Sequence, residues 1–285
     1  MSCSGLTQQI FFDGFNMLKL TPITSEKIWG YELWIASTHP NGIQPEFAQA
    51  VGNDFPLLVK IIQANDTLSI QVHPDDEAAV KLEGKGNRGK TECWYVLDAA
   101  PDAKLVYGLK NEASVDNLSK AIKENALEPY LEFVKVQKGD FIYIPAGTVH
   151  AIGSGLRLLE VQQSCDLTYR LYDWGRGREV HIEKGLAVIK NNVRKPIAKF
   201  PGSFECPYFS LEKIDIHGGW SMFCSGRNLS KETQLLYVLS ENKAVIRTSN
   251  DKVGTPLSAE EIYAILPGDK ITIEGSASVI RIKAI

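Results

Sequence analysis

The 285-residue chain has little that would commit it to a membrane, an oxidising compartment or a polyanion. No apolar run approaches the 18 or more residues that span a bilayer, and 44% hydrophobic with 23% charged residues is ordinary for a folded soluble protein. Cysteine is sparse. Cys3, Cys93, Cys165, Cys206 and Cys224 are odd in number, widely spaced and form no Cys-x-x-Cys. This argues against a disulfide framework and a thiolate zinc site, and suits a reducing compartment in which free cysteines act as small hydrophobes. Charge of one sign is also lacking: a net charge of -3 gives no field that would gather nucleic acid or anionic lipid, so any phosphate site must be local. Met1 to Gln9 hold no basic stretch followed by an apolar core, so no signal peptide is expected and the chain is read as cytoplasmic.

What the chain does have is strand signal. Alternating, β-branched and aromatic segments run from Leu57 to Ile62, Leu68 to His73, Cys93 to Leu97, Phe133 to Val136, Phe141 to Ile144, Arg157 to Gln162, Leu235 to Leu239, Ile262 to Leu266 and Val279 to Ile282. Many short strands bounded by turns predict a sandwich or barrel. Helical signals are fewer: Ser114 can cap a segment through Asn125 with Leu118, Ile122 and Leu127 near one stripe, and Ile182 to Lys190 is a second candidate. The length fits two unequal domains. Lys190 to Pro207, with its prolines, basic residues and Gly-Ser, reads as the connection, giving a first domain over 1–195, a linker over 196–207 and a smaller β domain over 208–285. Phe141 to His150 can be laid over Tyr263 to Thr272, aligning Pro145 with Pro267 and placing Thr272 where His150 stands. The chemistry is therefore expected in the first domain, with the second metal-free.

Side chains on a strand alternate between faces, so in LSIQVHP the residues Ser69, Gln71 and His73 point one way while Leu68, Ile70 and Val72 point the other. Gln71 and His73 can thus serve one metal, although a half-buried polar face with a hydrogen-bonded histidine would show the same pattern. In GKTECWYVL, Glu92, Trp94 and Val96 share a face, and a Glu92 buried there needs a partner. In GDFIYIPAGTVHAIGSG, Gly139, Pro145, Gly147 and His150 reproduce the spacing of the second cupin motif, in which a tight Pro/Gly turn returns the chain so that the histidine projects into the barrel mouth. One amide oxygen, two imidazoles and one carboxylate make a nitrogen and oxygen site suited to zinc, with iron, manganese or cobalt also compatible.

Several long segments in one order resemble the type I phosphomannose isomerases in their short bacterial form: KIWGYELWIASTHPNG, FPLLVKIIQANDTLSIQVHPDD, GKTECWYVLDA and IPAGTVHAIGSGLRLLEVQQSCDLTYRLYDWGR, followed by a smaller β domain. The resemblance implies a mainly β fold, a cupin (jelly-roll) catalytic barrel with a few helices and a C-terminal β-sandwich that is a degenerate cupin. It implies one zinc ion per chain on Gln71, His73, Glu92 and His150, and reversible conversion of mannose 6-phosphate to fructose 6-phosphate through a cis-enediol. It places Lys90 and Arg170 at the active site and makes Asp166 a candidate for proton transfer. Other expectations are a small sugar phosphate as the partner, no nucleic acid, no membrane and no obligate protein partner. The chain lacks the long helical insertion of larger members, which leaves the phosphate set open among Arg170, Lys90, Arg176 and Arg178. The rival readings are another cupin metalloenzyme, such as a glucose-6-phosphate isomerase or a dioxygenase, and a non-enzymatic sugar-binding cupin. A surface ion pair between Asp166 and Arg170 is the plain alternative for those two residues.

Overall fold

The computed structural model describes residues 17–110, 113–190, 195–251 and 253–285; Cys3 and part of the Lys190 to Pro207 segment lie outside them. Three antiparallel sheets dominate. The first has the order Ala198–Lys199, Asp140–Ile144, Glu92–Ala99, Leu156–Gln163, Leu57–Ala64, Gly30–Ala36, Ile23–Lys27. The second has the order Tyr169–Tyr172, Ile70–Val72, His150–Ile152, Lys104–Leu109, Leu131–Lys135. These two sheets enclose a core in which Ile62, Trp94, Ile142 and Leu158 of the first meet Leu105, Tyr107 and Ile152 of the second. Alternation thus works as expected: Trp94 and Val96 enter this core, while Cys93 on the opposite face enters another.

The outer face of the second sheet is covered by two helices, Val115–Lys123 and Ile182–Val188, with Leu118, Ile122, Val188 and Leu127 packed on Ile70 and Val72. Ser114 caps the first of them, its hydroxyl accepting from Asn117 N at 3.2 Å. The outer face of the first sheet is covered by the third sheet: Val59, Ile61, Leu159 and Val161 pack against Phe209, Leu235, Tyr237 and Ile280. That sheet is built on three 15-residue strands, Phe209–Phe223, Gln234–Thr248 and Lys270–Ala284, and encloses a further apolar core around Ile246, Tyr263 and Val279.

The segment between the two regions carries structure of its own. Ala198–Lys199 pairs with Asp140–Ile144 and Ser203–Glu205 pairs with Phe209–Phe223, so proline-rich composition marks a chain crossing here, with hydrogen-bonded stations on both sides. Leu18–Lys19, from the other end of the chain, pairs with Ile262–Ile265. Among the described residues no helix is long and apolar enough to cross a membrane.

Candidate active site

Register across the first sheet sets out the interior. Residues directly opposite in antiparallel strands share a face, and Trp94, Glu160, Lys60 and Trp34 lie opposite one another in turn across four strands. One row away Glu92 faces Gln162. In the second sheet His150 lies opposite Gln71, and Arg170 is opposite Gln71 on its other side. Gly147 makes the turn that delivers His150: it has φ +92°, and an added Cβ would meet Lys190 Cβ at 2.9 Å and Val188 O at 2.9 Å. Its amide donates to His73 O at 2.9 Å, tying the two histidine segments together.

His73, Glu92 and His150 converge, with one ligand atom from each within 4.8 Å of the others. All three are at most 1% exposed. Their nitrogens are sorted by the backbone: His73 Nδ1 lies 2.8 Å from Leu167 O and His150 Nδ1 2.9 Å from Thr148 O. A carbonyl only accepts, so each Nδ1 carries the proton and each Nε2 presents a lone pair to the centre. His150 Nε2 is 3.3 Å from Glu92 Oε1 and His73 Nε2 is 3.7 Å from Glu92 Oε2. Tetrahedral bonds of about 2.1 Å place neighbouring ligand atoms about 3.4 Å apart, close to both histidine–glutamate separations. Glu92 Oε2 is ion-paired with Lys90 Nζ at 2.8 Å, while buried Oε1 has no hydrogen-bond partner and is left to meet a cation. Gln71 Nε2 stands 3.3 Å from His150 Nε2, and a turn of its terminal torsion brings Oε1 to the same point.

Electrostatics favour the ligand form of each group. Burial, and next the Lys90 ammonium, hold the His73 pKa well below its ordinary value, so the ring is neutral. Burial acts to raise the Glu92 carboxyl, yet the Lys90 ammonium holds it well below the usual carboxylate range. Lys90 Nζ lies 2.8 Å from Glu92 Oε2 and 3.2 Å from His73 Nε2. Burial opposes its charge, but Glu92 and Glu160 more than compensate and its pKa stands above the ordinary lysine value.

A cavity of about 340 Å³ opens beside this cluster, lined by Gln71, Lys90, Asp166 and Arg170 together with Arg178, Ser69, Lys60, Glu160, Trp29 and Trp34. Gln71 and Lys90 therefore stand between the buried His73, Glu92 and His150 and the open space. Lys60, Glu160 and the two tryptophans are absent from the residues singled out in the sequence. A signal for the charged pair was present: a lone lysine in LLVKIIQA and a lone glutamate in LRLLEVQQ sit between apolar neighbours at inward positions, where each needs a partner. They find each other at 3.4 Å. Glu160 also accepts from Trp94 Nε1 at 2.8 Å, and burial, followed by the Glu92 charge, raises its pKa above the ordinary value. The two buried carboxyls are thus pushed in opposite directions.

Asp166 and Arg170 are not paired with each other. Asp166 accepts from Asn41 Nδ2 and lies 3.5 Å from His39 Nε2, which gives His39 of the HPNG turn a contact in the cavity wall. Arg170 Nη1 donates to Glu179 O at 2.7 Å, and its buried Nε has no hydrogen-bond partner. His181 holds the arginine backbone from both sides, accepting from Arg170 N at 3.0 Å and donating its own amide to Arg170 O at 2.7 Å. Burial, with Arg178 next, lowers the Arg170 pKa, the mark of crowded cations. Of the other phosphate candidates, Arg178 lines the cavity while forming a fork on Asp173 at 2.8 and 2.6 Å. Arg176 is spent on Thr67 O at 2.8 Å and Asp173 O at 3.1 Å and does not line the cavity. Trp174, with Nε1 on Leu68 O at 2.8 Å, is a structural residue.

Comparison with known proteins adds four findings. The profile of the family described as phosphomannose isomerase type I, catalytic domain, matches residues 35–91. The mannose-6-phosphate isomerase ManA of Bacillus subtilis (strain 168) is 35% identical over 258 residues, covering 85% of this chain and 74% of that protein. The crystal structure of the mannose 6-phosphate isomerase from Bacillus subtilis superposes with TM-score 0.79 at 29% identity, covering 94% of this chain and 99% of that one. A mannose 6-phosphate isomerase structure described as holo and zinc bound shares the fold, with TM-score 0.71 at 16% identity over 94% of this chain and 99% of its own.

Proposed function

Because the chain belongs to the mannose-6-phosphate isomerase family, we propose that it interconverts mannose 6-phosphate and fructose 6-phosphate as a zinc-dependent aldose-ketose isomerase of the cytoplasm. The observation that carries this reading is the convergence of two Nε2 lone pairs and an ionised Glu92 carboxylate beside a cavity rich in cations. We assign one zinc ion to His73, Glu92, His150 and Gln71. Bound there it supplies a Lewis acid that polarises sugar oxygens and brings no redox chemistry of its own.

The remaining roles fall to residues around the cavity. Isomerisation moves a proton between C2 and C1 of the sugar and needs a carrier, charge relief at the reacting oxygens and a hold on the phosphate. Lys90, kept cationic by Glu92, is assigned to charge relief. Asp166 is assigned to proton transfer, since it faces the cavity and Asn41 and His39 fix its orientation. Arg170, with an unsatisfied Nε, and Arg178 are assigned to the phosphate, whose oxygens suit guanidinium forks. We place this chemistry in the region before the 196–207 crossing and read the C-terminal sheet as its metal-free support.

A coupled assay with mannose 6-phosphate and glucose 6-phosphate tests the proposal. Fructose 6-phosphate should form from the mannose compound, cease after chelation and resume on adding zinc. Its formation from glucose 6-phosphate alone would move the chain to a different isomerase reaction.

A further inference from the structure

Lys90 and Glu92 are the groups on which the site turns, yet the strand that carries them begins only at Glu92. Gly89, Lys90 and Thr91 lie outside the ladder, so something else must fix them. Lys90 N donates to Pro74 O at 2.9 Å. The rest of the hold comes from two side chains that touch neither the cavity nor the metal cluster. Asp76 Oδ1, at the first turn of the helix Asp76–Glu83, accepts from Gly89 N at 2.7 Å and from Gln163 Nε2 at 3.0 Å. Gln163 Oε1 accepts from Thr91 N at 2.9 Å, while its backbone N donates to Thr91 O at 3.1 Å. Gln163 is thus a double clamp on Thr91, oriented by the Asp76 carboxylate.

The geometry around Gly89 shows how close this approach is. An added Cβ would meet Asp75 C at 2.5 Å and Asp76 N at 2.6 Å, both backbone, so only glycine lets the segment lie against the helix start. Thr91 passes the constraint on: its hydroxyl accepts from Ala146 N at 3.3 Å, in the turn that delivers His150. The C-terminal region reaches the same point. Burial, followed by the nearby Asp76 carboxylate, pushes the Tyr208 phenol up to about 12.

We propose that Asp76 and Gln163 form a positioning tether that fixes the Gly89 to Glu92 segment and thereby sets zinc affinity and turnover at the site. The inference rests on the zinc reading above. Asp76 is a positioning residue. It acts through hydrogen bonds to Gly89 and Gln163, and a neutral acceptor of the same shape serves equally well.

The test compares wild type, Asp76→Ala, Asp76→Asn and Gln163→Glu by zinc competition with a chromophoric chelator, by steady-state kinetics and by melting of the metal-free proteins. Partners of this kind typically change metal affinity by about 10 to 100-fold. Asp76→Ala should weaken zinc binding by about tenfold and lower kcat with KM changed less than about twofold, and Asp76→Asn should restore both. Gln163→Glu keeps an acceptor for Thr91 N but repels Asp76, and should weaken zinc in the same direction, which keeps the test open if Asp76→Ala fails to fold. Wild-type zinc affinity and kcat in Asp76→Ala, or in Gln163→Glu, would overturn the tether. So would Asp76→Asn as impaired as Asp76→Ala, because charge and not hydrogen bonding would then be responsible. A wild-type protein that binds no zinc would instead refute the reading beneath.

Discussion

The two halves of the molecule fill their interiors differently. Between the first two sheets lie Lys60, His73, Lys90, Glu92, His150 and Glu160, all buried and all charged or able to ligate a metal. In the C-terminal region, the buried polar residues among those described are Ser210, Thr233 and Asp269, and Asp269 is occupied in its own turn by accepting from Leu266 N at 2.9 Å. The same turn signal, proline then glycine after an apolar strand, serves both halves. After Pro145 it delivers His150 to the interior; after Pro267 it leads to Thr272, whose hydroxyl meets Ser221 on the outside. Burying ionisable groups costs several kcal/mol each unless they are paired, so a cluster of them signals a function that repays the cost. The C-terminal core carries no such burden.

The largest expected effect is at the pair of turns. His150→Ala should abolish zinc binding and lower kcat by at least about a thousandfold, an order set by losing a whole metal-assisted mechanism, whereas Thr272→Ala should leave both unchanged. Equal losses from the two, read by metal analysis and kinetics, would erase the comparison. Next comes Arg170→Ala, which should keep zinc yet lose about a hundredfold in kcat/KM for the phosphorylated sugar, in line with a charge-assisted contact to phosphate; normal kinetics would remove Arg170 from the site.

Stability should show the same division. Lys60→Ala leaves Glu160 buried beside Glu92 without its 3.4 Å partner and should cost about 3 kcal/mol in denaturant unfolding. In the C-terminal sheet, Lys213→Ala breaks the exposed pair with Asp215 and should change stability by less than about 0.5 kcal/mol. A pH-dependent effect concerns Asp269, whose pKa burial raises to about 6. A raised carboxyl pKa contributes stability when the group is protonated and loses it as pH rises through the folded value. Asp269→Asn should therefore raise the melting temperature more at pH 8 than at pH 5. A larger gain at pH 5 would contradict the buried setting of that turn.

Much of this was legible in the chain before folding. Strand alternation put Gln71 with His73 and Glu92 with Trp94, and all four lie where that pattern sends them, because a period of two leaves no freedom once one face is buried. His150 followed from its turn. What escaped notice depends on pairing between distant segments. The clasp of Asp166 joins it to Asn41, 125 positions away, and to His39 of the same turn. The strand Phe209–Phe223 was missed because His217, Gly218 and Gly219 interrupt its pattern, though its ladder to Lys270–Ala284 runs through them. Lys60 and Glu160 each sit between apolar neighbours on an inward face, and a charge so placed is a question about its partner.

The central claim is the buried metal centre, and X-ray absorption at the zinc edge of the purified protein tests it most directly. One zinc per chain is expected, bound by nitrogen and oxygen only, with the outer-shell scattering of two imidazoles. A sulfur shell, or full conversion of mannose 6-phosphate by protein shown to contain no metal, would contradict it.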